Sequence, residues 1–232
     1  MESLLTFVNV AVPPEVIFDR YIRNKIPHYQ GKANLVLIED RVTRDLLDDT
    51  QRTIKEVYAA QGGSIFVRGT RPALHFDYVN SSVVNAIAFQ DEGCAFVGLT
   101  LALFNEVGQT CQLLVTSGLV TSIFRLETPT DHERHQLFTA FFAAQLQFIA
   151  CHELGHHVHG HCSDDEQTMP IREEFSEDWR ISGGLTDQAR ELDADGYAVH
   201  MILHNFVAGS PRLKLLELLG HQTDDTEDIA LL

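Results

Sequence analysis

An α+β fold is what this sequence predicts, and three observations predict it. The first half alternates short β-branched and aliphatic runs with turn residues. A hairpin signal lies between two apolar runs near its end, and the second half carries long stretches with helical spacing. At 232 residues, with 44% hydrophobic and 22% charged side chains, the composition is that of an ordinary globular protein. That length suffices to bury a core as one domain. We expect residues 1–232 to form a single domain, with a sheet-containing part over 1–130 and a helical part over 131–232.

Taken in order, Asn34 to Ile38 is a short aliphatic run that reads as a strand. Val42 to Ala60 sets Val42, Leu46, Ile54, Val57 and Tyr58 among charges, the pattern of an amphipathic helix, which Gln61-Gly62-Gly63 closes. Ile65 to Val67 and Leu74 to Val79 read as strands separated by Gly69 and Pro72. Asn85 to Phe89 and Ala95 to Leu99 flank Gln90-Asp91-Glu92-Gly93 and read as a β-hairpin. Polar residues Asp131 to Gln136 open a long helix, apolar from Leu137 through Val158 and stopping near Gly160. A helix apolar on most faces is central to its fold. Ser163 to Gly184 is acidic, contains Pro170 and Gly183-Gly184, and reads as a loop or lid. A further helix runs from about Asp187 to Val207, Gly209 ends it, and Pro211 starts another short one.

The net charge of −16 repels phosphate backbones and anionic membranes, so nucleic acid is not an expected partner. Met1 to Val12 carries Glu2, lacks a basic start and runs into Pro13-Pro14, unlike a signal peptide. The longest apolar stretch, Leu137 to Cys151, is interrupted by Gln145 and Gln147 and is shorter than the roughly 20 residues a bilayer requires. These readings lead us to expect a cytoplasmic protein without membrane insertion. Cys94, Cys111, Cys151 and Cys162 form no C-x-x-C pair, which argues for reduced thiols and against a cysteine zinc knuckle.

The chemistry is concentrated in His152-Glu153-Leu154-Gly155-His156. Four residues apart at about 100° each, the two imidazoles differ in direction by only about 40° and face one side of the helix. One zinc ion can take both. Glu153 lies on the adjacent side, where its carboxylate can serve as catalytic base toward water on the metal without displacing a ligand. The chain holds 12 histidines, and an H-E-x-x-H arises by chance in such a chain on the order of a few per cent of the time. Its place on an apolar helix counts against chance, because a buried His and Glu are costly without a metal or partner.

Zinc requires a third protein ligand. In Arg190-Glu191-Leu192-Asp193-Ala194-Asp195, Glu191 and Asp195 share a helix face. Glu191 is the candidate ligand, the competing use being an ion pair with Arg190; Asp195 is the candidate acceptor for a ligating histidine's N–H. Asp193 points to the other side and reads as solvated. A third ligand of the H-E-x-x-H-x-x-G-x-x-H kind falls on Cys162, but the turn glycine of that motif is His159 here. By the same wheel His159 reaches the rim of the site at most, and His157 and His161 point away.

These residues resemble the gluzincin zinc peptidases, nearest to the HtpX and CaaX-prenyl-protease family and its soluble minigluzincin relatives. The stretch from His152 to His161 is also similar to Lit-type and ImmA/IrrE-type bacterial peptidases. Asn85-Ala86-Ile87-Ala88 followed by Gly93-Cys94-Ala95-Phe96-Val97 is similar to the family's substrate-binding hairpin. The resemblance covers roughly residues 83 to 215 and implies a zincin-like fold, with an edge hairpin packed on a long active-site helix. It also implies one Zn2+ per chain, an endopeptidase acting on a protein or peptide substrate, and a substrate strand running along Cys94, Ala95, Phe96 and Val97. The alternative is a zinc-stabilised, catalytically silent binding or regulatory module. An oxyanion donor is not assigned: Tyr197, His200 and His204 lie about 120°, 180° and 140° from the Glu191 direction, while His221 and residues 163–185 remain open.

Overall fold

The computed structural model describes residues 12–26, 28–60, 72–119, 122, 129–162 and 185–208. Among them are five α-helices and a small mixed sheet of three strands, an α+β arrangement rich in helix.

The chain enters through α1, Pro14–Lys25, whose start is favoured by proline in the first turn, where an N–H has no helical partner. Its residues Ile17, Phe18 and Ile22, continued by Ile26, recur at helical spacing and are buried. After a 3-10 turn at Leu35–Leu37 come α2, Arg41–Ala60, and three strands: β1 at Ala73–Val79, β2 at Ala86–Asp91 and β3 at Cys94–Thr100. Helix α3, Leu101–Thr116, follows directly. Thr100 caps it by accepting the Leu103 N–H, and also accepts the Asn85 N–H. The long α4, Asp131–Val158, opens with a capping box in which Thr130 and Glu133 satisfy each other's backbone N–H. The last described element is α5, Leu185–Ala208.

The strand order is β1-β3-β2, with β1 parallel and β2 antiparallel to β3. Alternation splits the side chains between two faces. Ile87, Phe89 and Phe96 lie with Val79 under Ile17, Phe18 and Ile22 of α1. Phe76, Tyr78, Ala86, Val97 and Leu99 face the opposite way, into a larger core with Leu47 and Ile54 of α2, Phe104 and Val107 of α3, and Phe142 and Leu146 of α4. A side chain as fully buried as Phe18, Phe76 or Leu146 contributes about 1.5–3 kcal/mol, so α4 is held against the sheet by its N-terminal two thirds and presents its C-terminal turns to α5.

Several expectations change here. Asn34–Ile38 is not a strand: the Asn34 side chain accepts the Val36 N–H and turns the chain into a 3-10 helix, leaving Val36 and Leu37 exposed. The hairpin turn tightens to Glu92-Gly93, both at positive φ, with Gln90 and Asp91 drawn into the strand or its end. Cys94, Ala95, Phe96 and Val97 do not form a substrate edge, because β3 is the central strand and both of its sides are occupied. Residues 30–33 also cover the end of β1, where Ala33 N–H donates to Tyr78 O and Asn80 N–H to Gly31 O. Among the described residues the outer edges of both β1 and β2 lack a neighbouring strand, a single bridge from Lys32 to Val79 closing the end of β1. By length and composition α4 is long and apolar enough to cross a membrane, contrary to the expectation from its interrupted apolar run; 44% of the apolar window is buried within the fold. The closing Gln61-Gly62-Gly63, the strand Ile65–Val67, the loop 163–184, and Gly209 and Pro211 lie outside the described residues.

Candidate metal centre

Helices α4 and α5 meet along a seam of small side chains. Ala194 and Ala198 are fully buried, and a Cβ on Gly155 would lie 3.0 Å from the Ala194 Cα. Glycine at 155 therefore lets the two backbones approach closely enough for side chains of α5 to reach over the H-E-x-x-H turn. The chain positions its chemistry by this contact between elements far apart in sequence.

The result brings together the two histidines and the carboxylate. His152 Nε2 lies 3.1 Å from His156 Nε2 and 3.2 Å from Glu191 Oε2, and His156 Nε2 is 3.8 Å from Glu191 Oε1. These three residues form a group able to hold a metal ion. Four ligands about 2.0–2.1 Å from a tetrahedral zinc stand about 3.3 Å from one another, so the spacing already present is that of ligands around such an ion. The Arg190 guanidinium is 3.8 Å from Asp187, one turn before it.

Protonation makes the same point. His152 Nδ1 is 2.9 Å from Asp195 Oδ1, a bond in which the ring N–H donates to the carboxylate. In the neutral ring this bond leaves Nε2 as a lone pair toward Glu191, the form in which His152 can act as a ligand. His156 is buried, and burial pushes its pKa down to about 3, holding it neutral as well. Acceptors converge on one point, and a cation satisfies all of them together. Glu153 follows His152 on the same turn and is 1% exposed. Its carboxylate lies near Cys162, whose thiol is pushed well up by burial and by that charge. Kept as a neutral thiol, Cys162 is a poor ligand, and it is not part of the metal-capable group.

Of the neighbouring histidines, His157 points away from the ligands as the helical wheel expects, and His161 departs from it. His157 is buried and its Nε2–H donates to the Phe96 carbonyl at 2.9 Å, tying α4 to β3; burial pushes its pKa down to about 4. His161 does not point away: its Nδ1 is 3.0 Å from His156 Nδ1. Its Nε2 in turn is 3.9 Å from Asp193, which is exposed but not remote from the site. His159 stacks beside His161 and lies edge-on to Tyr197. Tyr197 packs with Leu154 and Val158, and His200 and His204 are exposed. His221 lies outside the described residues. Comparison with protein-family models, curated proteins and solved structures gives no match for this chain.

Proposed function

We propose that this protein is a zinc-dependent endopeptidase with a zincin-like fold of the gluzincin kind. His152, His156 and Glu191 are the ligands, Asp195 orients His152, and Glu153 is the catalytic base. The observation that carries the reading is the convergence of His152 Nε2, His156 Nε2 and the Glu191 carboxylate at ligand spacing, with Glu153 on the same turn. Zinc in such a site supplies Lewis acidity, lowering the pKa of water to about 7 and polarising a peptide carbonyl. The chain's own part is to take the proton from that water on Glu153 and return it to the departing amine. Glu153 is buried beside both histidines on the same turn, which places its carboxylate within reach of the centre as a base. A peptide substrate adds along the outer edge of β2, the strand side left open beside α4, with main-chain bonds giving affinity and side-chain pockets selectivity. The acidic surface suits a cytoplasmic protein acting on other proteins rather than on nucleic acid.

Purified protein should carry about one zinc per chain and cleave a quenched-fluorescent peptide library. Glu153→Gln should keep the zinc and lose cleavage by about 10²–10⁴-fold, the usual worth of a positioned base. Cleavage that survives in this variant removes Glu153 as the base. The burial of Glu153 and His156, 1% and 0% exposed, favours a second reading, a closed zinc site that stabilises a silent binding module. It is distinguished by bound zinc with no turnover of any peptide and a large loss of thermal stability on chelation.

A further inference from the structure

Helix α4 does not simply run out after Val158. Gly160 takes φ 75°, its N–H donates to His157 O at 3.1 Å, and the His161 N–H donates back to His156 O at 2.8 Å. This pair of bonds around a left-handed residue is the Schellman closure, which folds the second residue past the helix back onto the residue five before it. That contact is normally apolar. Here it joins two imidazoles, and the His161 side chain is only 10% exposed.

We propose that His161 is the positioning residue for His156, as Asp195 is for His152. The proposal rests on the metal reading above and concerns which group sets the second ligand's tautomer. For His156 to offer its Nε2 lone pair to a metal, its proton must sit on Nδ1. The partner of that Nδ1 is His161 Nδ1 at 3.0 Å, so His161 must be the acceptor and carry its own proton on Nε2. That N–H faces Asp193 Oδ2 at 3.9 Å. Two chains then run from α5 through imidazoles to the same point: Asp195 to His152, and Asp193 through His161 to His156. The alternate residues of Glu191, Asp193 and Asp195 thus serve one centre, one as ligand and two as outer supports. The Gly160 closure makes the second chain possible, because a straight continuation of α4 would carry His161 to the other side.

The test is zinc affinity measured by competition with a chromophoric chelator, on the full chain, with His161→Ala, His161→Phe and His161→Asn. Asparagine places an oxygen acceptor where Nδ1 stands; phenylalanine keeps the ring's bulk without an acceptor. Loss of an orienting partner typically weakens metal binding by about 10–100-fold, so alanine and phenylalanine should show that loss while asparagine stays within about threefold of the parent. Thermal unfolding in excess chelator provides the folding control, and the phenylalanine–asparagine pair decides the matter even where alanine does not fold. Equal affinity for the phenylalanine and asparagine variants overturns the role of His161 and leaves the metal reading standing. A parent protein that binds no zinc overturns both.

Discussion

The fold holds two buried polar clusters made from the same kinds of side chain, and they close in different ways. Around Asp77 every acceptor meets a donor: Oδ2 takes the Lys32 ammonium at 2.5 Å and the His75 Nε2–H at 3.2 Å, and Oδ1 accepts the Tyr78 N–H. Burial pushes the Asp77 carboxyl up, but these hydrogen bonds and the lysine charge outweigh it and hold its pKa below the ordinary carboxylate range. Around His152 the count reverses. Two carboxylates and three imidazoles face one another, and the outer positions are already used by Asp195 and His161. A cluster that satisfies itself is a structural tie; the His152, His156 and Glu191 group could in addition hold a cation. The first ties the Lys32 segment to β1, and the second adds a group able to hold a cation to the packed seam between α4 and α5.

The strongest way to break this contrast is Glu191→Ala. About 10–16 kcal/mol of structural zinc binding shared among four ligands is roughly 3 kcal/mol each, so affinity should fall a hundredfold or more. The chain without metal should be no less stable, because removing Glu191 relieves crowding of acceptors. Chelator competition and thermal unfolding of metal-free protein check the two halves. Marked destabilisation of the metal-free variant would show that the carboxylate satisfies itself in the fold as Asp77 does.

The converse substitution is Asp77→Asn. It leaves Lys32 without its counter-charge, and since that lysine is 39% exposed the cost is discounted from the 3–5 kcal/mol of a fully buried pair to about 2 kcal/mol. Zinc affinity should not change. The depressed Asp77 pKa also sets a direction in pH. Its stabilisation is fully present above the ordinary carboxylate pKa and is lost as pH falls through the lower folded-state value. The parent should therefore lose stability below about pH 4 more steeply than the asparagine variant; parallel urea titrations across that range measure the difference, and coincident slopes would remove Asp77 as the source.

Local periodicity made half of the candidate metal centre legible. A spacing of four puts His152 with His156 and Glu191 with Asp195 on single faces wherever those stretches are helical, and both are. His161 was hidden because the wheel was carried past the helix end; the available signal was Gly160, which starts a left-handed closure and not another turn. In the sheet, the hairpin follows from its own turn, whereas the parallel pairing of β1 with β3 is non-local and nothing in either strand announces it. Helix α1 did carry a signal, proline in its first turn followed by Ile17, Phe18, Ile22 and Ile26. Helix α3 carried less, being apolar on several sides, with Thr100 as its cap the clearest mark.

Gly155→Ala sharpens the comparison most finely, because it acts on the distance between the helices and on neither cluster directly. An alanine inside α4 is favoured over glycine by roughly 0.5–1 kcal/mol, through lower backbone entropy in the unfolded chain. Its Cβ would sit 3.0 Å from the Ala194 Cα and 3.3 Å from the Ala194 carbonyl oxygen, backbone atoms that move only if α5 moves. Overpacking costs about 1–3 kcal/mol, so the two terms nearly cancel and metal-free stability should change by about 1 kcal/mol or less. No such cancellation applies to the centre, because a shift of α5 by a few tenths of an ångström displaces Glu191 and Asp195 together. Zinc affinity should fall by about tenfold, the lower end of what disturbing a ligand's support costs. Affinity unchanged in this variant would mean that Glu191 reaches the histidines through its own flexible stem, and that the small-residue seam between α4 and α5 serves packing alone.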